Sequence, residues 1–282
     1  MNSKFRFLEF NLGILAISSS GVLGRYLTIS STVATLWRCV IACLCLVLIV
    51  KIFKISTFID WKKHHLAMFC SSLLLAIHWV TYFYALDYSN VSIGLMTLYT
   101  FPAMTAIIEP IWKRQKIPLF DIGLAMAALF AVCIIAPPFE ISDQMKLAVS
   151  LGLLSALTYS IRNIWLVDIS VEYDGTIVMM YQLLIVTAIL SPAFYFIPVE
   201  INESQWYALI MLGAITTATG HTLFLRGVAF YKATTASLLA CIVPVFGIVL
   251  AYIFLNEVPT TRTIIGGIII ILIVIIKAAK TK

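Results

Sequence analysis

Residues Tyr231 to Glu257 read YKATTASLLACIVPVFGIVLAYIFLNE, and 142 positions earlier Ser89 to Gln115 read SNVSIGLMTLYTFPAMTAIIEPIWKRQ. Each copy is a small polar turn, an apolar run interrupted near its middle by proline (Pro102, Pro244), and a polar exit. Half of the 282-residue chain is 141, so the copies occupy equivalent places in two halves. A repeat at half-length in so apolar a chain is the pattern of membrane transporters built from two related halves.

Composition sets the class. Hydrophobic residues make up 62% of the chain and charged residues 11%, against roughly 45–50% and 25% in soluble domains, so the expected solvent is lipid. The net charge of +6 resides mostly in short loops on one side of the membrane and gives no reason to expect nucleic acid. All six cysteines fall in apolar runs and read as small buried hydrophobes. Cys39 and Cys43 lie one helical turn apart, but no His or carboxylate completes a metal set, so neither metal nor cofactor is expected.

Apolar runs at 7–27, 31–50, 66–86, 91–112, 119–136, 147–167, 176–197, 205–230, 234–255 and 261–276 predict an all-α membrane protein of ten transmembrane helices. Most reach the ~20 residues that cross ~30 Å of hydrocarbon. The first run lacks a small-x-small cleavage site and is expected as a retained helix. With the N-terminus inside, thirteen Lys and Arg fall in cytoplasmic segments, and only Lys146 and Arg262 fall outside. That imbalance predicts both termini in the cytoplasm, and the outer segments around Glu140, Asp143, Glu200 and Glu203 are acidic. Five spans per half is odd, so the halves are expected as an inverted pair that alternates access.

The turn and small-residue run Lys232–Leu239, Pro244, the exit Leu255, Asn256 and Glu257, and the following helix with Gly266 and Gly267 resemble the EamA domain of the drug/metabolite transporter superfamily. The resemblance spans both halves, 1–137 and 146–279, and departs at the first exit, where Arg114 and Gln115 replace Asn256 and Glu257. It implies a bacterial inner-membrane permease, often an exporter of amino acids or related metabolites. Relatives also import nucleoside-like metabolites such as S-adenosylmethionine, and some move riboflavin or drugs. Direction stays open between export, uptake and drug efflux.

Polar residues inside the spans are the functional candidates. Arg25, Arg38, Arg162 and Arg226 lie within spans, where a charge costs roughly 2.5–3.5 kcal/mol or more and needs a partner or a wet cavity. Arg25 and Arg226 are near span ends and are expected to snorkel. Arg38 and Arg162 lie deeper and are expected to face a cavity or to pair, with Glu109 as the natural counter-ion. The remaining set is Ser18, Ser19, Ser20, Trp37, His78, Trp79, Tyr82, Tyr99, Tyr159, Asn163, Gln182 and His221, while Trp61, Trp112 and Trp206 read as interface anchors. Arg38, Trp79, Tyr82, Tyr99, Tyr159 and Arg162 are the expected substrate contacts. Arginines with aromatics and few acids suit a small metabolite bearing a carboxylate and an apolar or planar part.

His78, His221 and Glu109 are candidate proton-coupling groups, because imidazole's reference pKa of ~6.5 lets modest environmental changes switch its charge. The alternative is that each histidine only hydrogen-bonds a neighbouring helix, and the 142-residue shift pairs His221 with Trp79, not His78. Pro102 and Pro244 are expected as mid-membrane kinks, lining a cavity or merely packing. Gly123, Ala127 and Ala131 predict a flat packing face, and Gly266 and Gly267 another that extends to a second copy of the chain. A phosphate-cradling GxxxxGK[ST] loop is absent, as are HExxH and GxSxG, so pumps and such intramembrane enzymes rank below a carrier. A channel is disfavoured by the inverted halves and the lack of a ring of like residues.

Overall fold

The computed structural model describes residues 3–24, 26–89, 91–135, 142–197, 200–256 and 258–280. Arg25, Glu140 and the exit Glu257 lie outside them. The described residues form helices and no strands. In chain order these are α1 (Ser3–Gly24), α2 (Ser31–Ile52), α3 (Trp61–Asp87), α4 (Val91–Leu98), α5 (Phe101–Trp112), α6 (Leu119–Ile135), α7 (Asp143–Glu172), α8 (Gly175–Leu190) and the short α9 (Ala193–Phe196). There follow α10 (Glu203–Met211), a π-helical segment (Leu212–His221), α11 (Thr222–Tyr231), α12 (Ala233–Ala240), α13 (Val243–Leu255) and α14 (Thr261–Lys280).

Among the described residues eight stretches are long and apolar enough to cross a membrane, and a shorter apolar helix covers Leu119–Ile134. The run expected as one span over 91–112 is instead two short helices, α4 and α5. The break falls at Tyr99 and Thr100, and the matching break at Cys241 and Ile242 separates α12 from α13, again 142 positions on. In both copies the turn tightens to i→i−3 bonds: Thr100 N–H donates to Thr97 (3.3 Å) and Cys241 N–H to Leu238 (3.3 Å). The prolines are therefore not mid-helix kinks. Each sits in the first turn of the second helix, where the missing N–H has no intrahelical partner to lose. The two exits also match: Arg114 (φ 52°) and Asn256 (φ 54°) are both left-handed, despite their different side chains.

Polar caps carry several helices past the apolar runs. Asp60 accepts from the amides of Lys62 and Lys63 and starts α3 five residues early, Ser142 caps α7, and Asn202 with Gln205 forms a capping box on α10. The last helix reaches Lys280, because buried Lys277 pairs with Asp121 on α6 at 2.9 Å. The predicted face on α6 is displaced: Gly123 is exposed with open space around it, and Ala125, Ala128 and Ala131 form the buried row. Gly266 and Gly267 are buried within this chain, the latter beside Val245. Cys133 is exposed, unlike the expected buried thiols.

Close helix approach is concentrated where α1 crosses the π segment. A Cβ on Gly220 would stand 2.9 Å from Ile17 Cγ1 and 3.2 Å from the Gly13 carbonyl, so only glycine lets these backbones meet. Gly213 does the same against α2, with the Arg38 carbonyl 3.1 Å from where its Cβ would be.

Candidate functional site

A cavity opens between the two halves of the chain. Its wall includes Arg38, His78, Trp79, Tyr82, Tyr99, Tyr159 and His221, seven of the nine residues expected as substrate-binding or coupling groups. The half-buried part of its wall, Ser20, Gly21, Ala251 and Leu255, lies toward the C-terminal ends of α1 and α13, and the mouth is taken to be there.

Arg38 comes from α2 and is 2% exposed. Its Nε donates to Thr217 Oγ1 at 2.9 Å, and its guanidinium carbon lies 4.6 Å from the centre of the Trp79 ring. Among the described residues no carboxylate pairs with it. The neutral hydroxyl and the ring face ease the burial of this charge while leaving the guanidinium's remaining N–H groups for an anion. Thr217 reaches Arg38 from the π segment, where its hydroxyl donates five residues back to the Leu212 carbonyl at 3.0 Å. That widened turn also presents His221, whose ring packs edge-on with Trp79 at 5.3 Å and whose Nδ1 is buried without a partner among the described residues. Such π insertions are frequent at functional sites.

His78 faces the cavity from α3 and stacks on Tyr159 at 4.3 Å. The Ser155 hydroxyl donates to the His78 carbonyl at 3.0 Å, so the ring Nδ1–H is the donor in the 2.8 Å contact to Ser155 Oγ, which leaves Nε2 as an acceptor. Tyr99 sits at the α4–α5 break and packs against Phe101, which in turn meets Tyr159. Aromatic rings thus surround a single cationic head.

The structure places two expected residues elsewhere. Arg162 is fully buried behind the wall, and its Nη groups donate to Asn163 Oδ1 (2.9 Å) and to Gln182. Gln182 donates onward to Ser71 at 3.0 Å, and among the described residues Arg162 Nε has no partner. Glu109 is no counter-ion to either arginine. Its carboxylate caps α12, accepting from the Thr234 amide at 2.6 Å, the Ala233 amide at 3.2 Å and the Thr234 hydroxyl at 2.5 Å, because an unpaired helix N-terminus satisfies an anion as a cation would. Trp37 packs on Trp206 and Phe194 away from the cavity.

The end of the bundle opposite the mouth is held by charge. Arg226 does not snorkel but bridges Glu9 (2.8 Å), Asp174 (3.2 Å) and Thr176 (2.7 Å). Lys63 and His64 meet Glu172 (2.7 and 3.0 Å), and Lys113 meets Asp168 (2.7 Å). The Glu9–Arg226, Lys63–Glu172, His64–Glu172 and Lys113–Asp168 pairs join the first half of the chain to the second, while Asp174 and Thr176 hold Arg226 from within the second half. Partial burial would raise the Asp174 carboxyl, yet hydrogen bonds from Thr176 and the Arg226 charge hold it below the ordinary carboxylate range. Sequence reading missed Thr217, Ser155, Glu9 and Asp174. The adjacent Thr216 and Thr217 between Gly213 and Gly220 are the signal that could have found the first.

A helical bundle with broken helices, apolar outer faces and an aromatic cavity around a buried arginine is that of an integral, multi-pass membrane transporter. The chain belongs to the EamA-like transporter family, matched over residues 10–136 and 146–277, and so to the drug/metabolite transporter superfamily. It is 24% identical over 210 residues to the pseudopaline exporter CntI of Pseudomonas aeruginosa, covering 73% of this chain and 72% of that protein. It is 22% identical over 191 residues to an uncharacterized transporter of Archaeoglobus fulgidus, with 68% of each covered. A protein of known crystal structure shares its fold with a TM-score of 0.85 at 14% identity, over 99% of this chain and 98% of the other. These likenesses point to a small-molecule transporter in place of an enzyme.

Proposed function

We propose that the protein is a secondary transporter that exports a small metabolite bearing a carboxylate and an apolar or planar part. The observation that carries this reading is Arg38: a buried guanidinium on the cavity wall, ringed by aromatics, with no carboxylate pairing it among the described residues. A solute carboxylate would supply the missing charge in a site already emptied of competing acids. Export is the direction in the name of the Pseudomonas relative.

The arrangement proposed is ten spans in two inverted five-helix halves, 1–137 and 146–279, in an inner membrane with both termini cytoplasmic. Supporting it are helix starts that recur 142 positions apart, at Val91 and Ala233, Phe101 and Val243, Leu119 and Thr261, and the lysine-rich loops of one side. The cavity then opens outward, and the charge pairs close the cytoplasmic end. Comparison of metabolites in medium and cytoplasm tests the reading. Cells producing the protein should release a carboxylate-bearing metabolite that cells producing Arg38→Ala retain, and identical profiles would refute it.

A further inference from the structure

We infer that Arg162 takes the solute's anionic group when the cavity opens to the cytoplasm, so that the anion passes from Arg38 on one side to Arg162 on the other. This rests on the inverted-halves reading above and adds to it the residues of the opposite state.

The 142-residue shift holds in space as well as along the chain. Ile17 and Tyr159, Trp79 and His221, and Tyr82 and Phe224 are mates under it, and all six line the one cavity. Helix crossings obey it too: α1 meets the π segment at Gly13 and Gly220, and α7 meets α3 at the mates of those residues, Ser155 and His78. A shift that equates both wall residues and crossing points relates the two halves as structural equivalents.

Some wall residues have mates that do not line the cavity. Ser20 and Gly21 on α1 border the mouth, and their mates on α7 are Arg162 and Asn163; Ala251 on α13 also lines the wall, and its mate is Glu109 on α5. All three mates are buried here. In a carrier of two inverted halves, the opposite state is reached when each half adopts the other's conformation. The surfaces now bordering the outer mouth then close, and their mates come to border a cytoplasmic one. Arg162 would enter that wall. Among the described residues its Nε has no partner, and its Nη groups are held only by the neutral side chains of Asn163, Gln182 and Met179, so an oxyanion can replace them without breaking an ion pair. The two mouths also differ in chemistry: serine and alanine face outward where arginine and glutamate would face inward. Before Glu109 joins that wall, it must release the α12 N-terminus.

Cysteine accessibility in oriented proteoliposomes tests this, with a membrane-impermeant maleimide and peptide mass spectrometry so that native thiols serve as internal controls. Gly21→Cys has open space around it and should be labelled from the outer side only. Asn163→Cys should be labelled from the cytoplasmic side only, and faster when Glu109→Ala is added. Indole-3-acetate, a planar carboxylate, should slow that labelling where its neutral amide does not. Arg162→Gln should abolish the protection and Arg162→Lys retain part of it. No labelling at position 163 from either side, with or without Glu109→Ala, overturns the inference, as does labelling that indole-3-acetate leaves unchanged. If Gly21→Cys resists labelling from outside, the outward-open carrier reading itself fails.

Discussion

Arg38 is fixed by one hydrogen bond and one ring face, which makes Thr217 decisive for where its charge points. Thr217→Val leaves Nε buried and unpaired, at about 1–3 kcal/mol. Transport should fall with Thr217→Val and recover with Thr217→Ser, measured as solute exchange across proteoliposomes; equal activity of both would remove Thr217 from the site. His78 and His221 both reach the cavity, so they retain the proposed coupling role that Glu109, tied to α12, does not support in this state. His78→Gln and His221→Gln should exchange solute across proteoliposomes yet fail to accumulate it from a pH gradient, and accumulation by both variants would exclude them. The cavity residues were legible because arginine, histidine and tyrosine are costly in an apolar run wherever they fall. Arg162 and Glu109 stand off the wall in this state, which the sequence does not show, since a one-dimensional reading cannot tell a wall residue from one a turn behind it. Nor could it show that the α12 start, created where Lys232 takes φ 67°, offers Glu109 backbone amides in place of an arginine.

At the scale of the element, the repeat was readable because proline and small residues recur in register, but what proline does there was not. A sequence shows a missing N–H; only the structure shows whether the helix continues through it or starts anew, as α5 and α13 do. The π segment left no periodic signal, since one widened turn hardly disturbs the apolar pattern. Two substitutions probe these elements. Gly220→Val, driven into Ile17 and the Gly13 carbonyl, should lower the melting temperature in detergent sharply, whereas Gly123→Ala, in open space, should leave it nearly unchanged. Equal effects would contradict the crossing described. Arg114→Gly should raise stability by about 1 kcal/mol by relieving a left-handed residue at the α5 exit, and a lowered melting temperature would show that the arginine's contacts outweigh the strain.

For the whole molecule, composition and loop charge settled that the chain lives in lipid, while the uneven distribution of contacts between its halves needed three dimensions. The cavity is open at one end, and the ion pairs joining the halves gather at the other. Arg226 is central to that closure, so Arg226→Ala should increase labelling of Asn163→Cys from the cytoplasmic side, and unchanged labelling would assign the cluster to packing alone. Asp174, which holds Arg226 from within the second half while Arg226 reaches Glu9, gives that end a pH dependence of known sign. Its carboxyl is held below its unfolded value, so its contribution is present above that value and is lost as pH falls through the lowered one. The central claim is that a solute carboxylate binds Arg38 and crosses through this cavity. It is tested most directly by exchange of the carboxylate-bearing solute across proteoliposomes holding the native chain, Arg38→Lys or Arg38→Ala. The account predicts rapid exchange, reduced exchange and none, with all three proteins folded and inserted; exchange through Arg38→Ala at the native rate would contradict it.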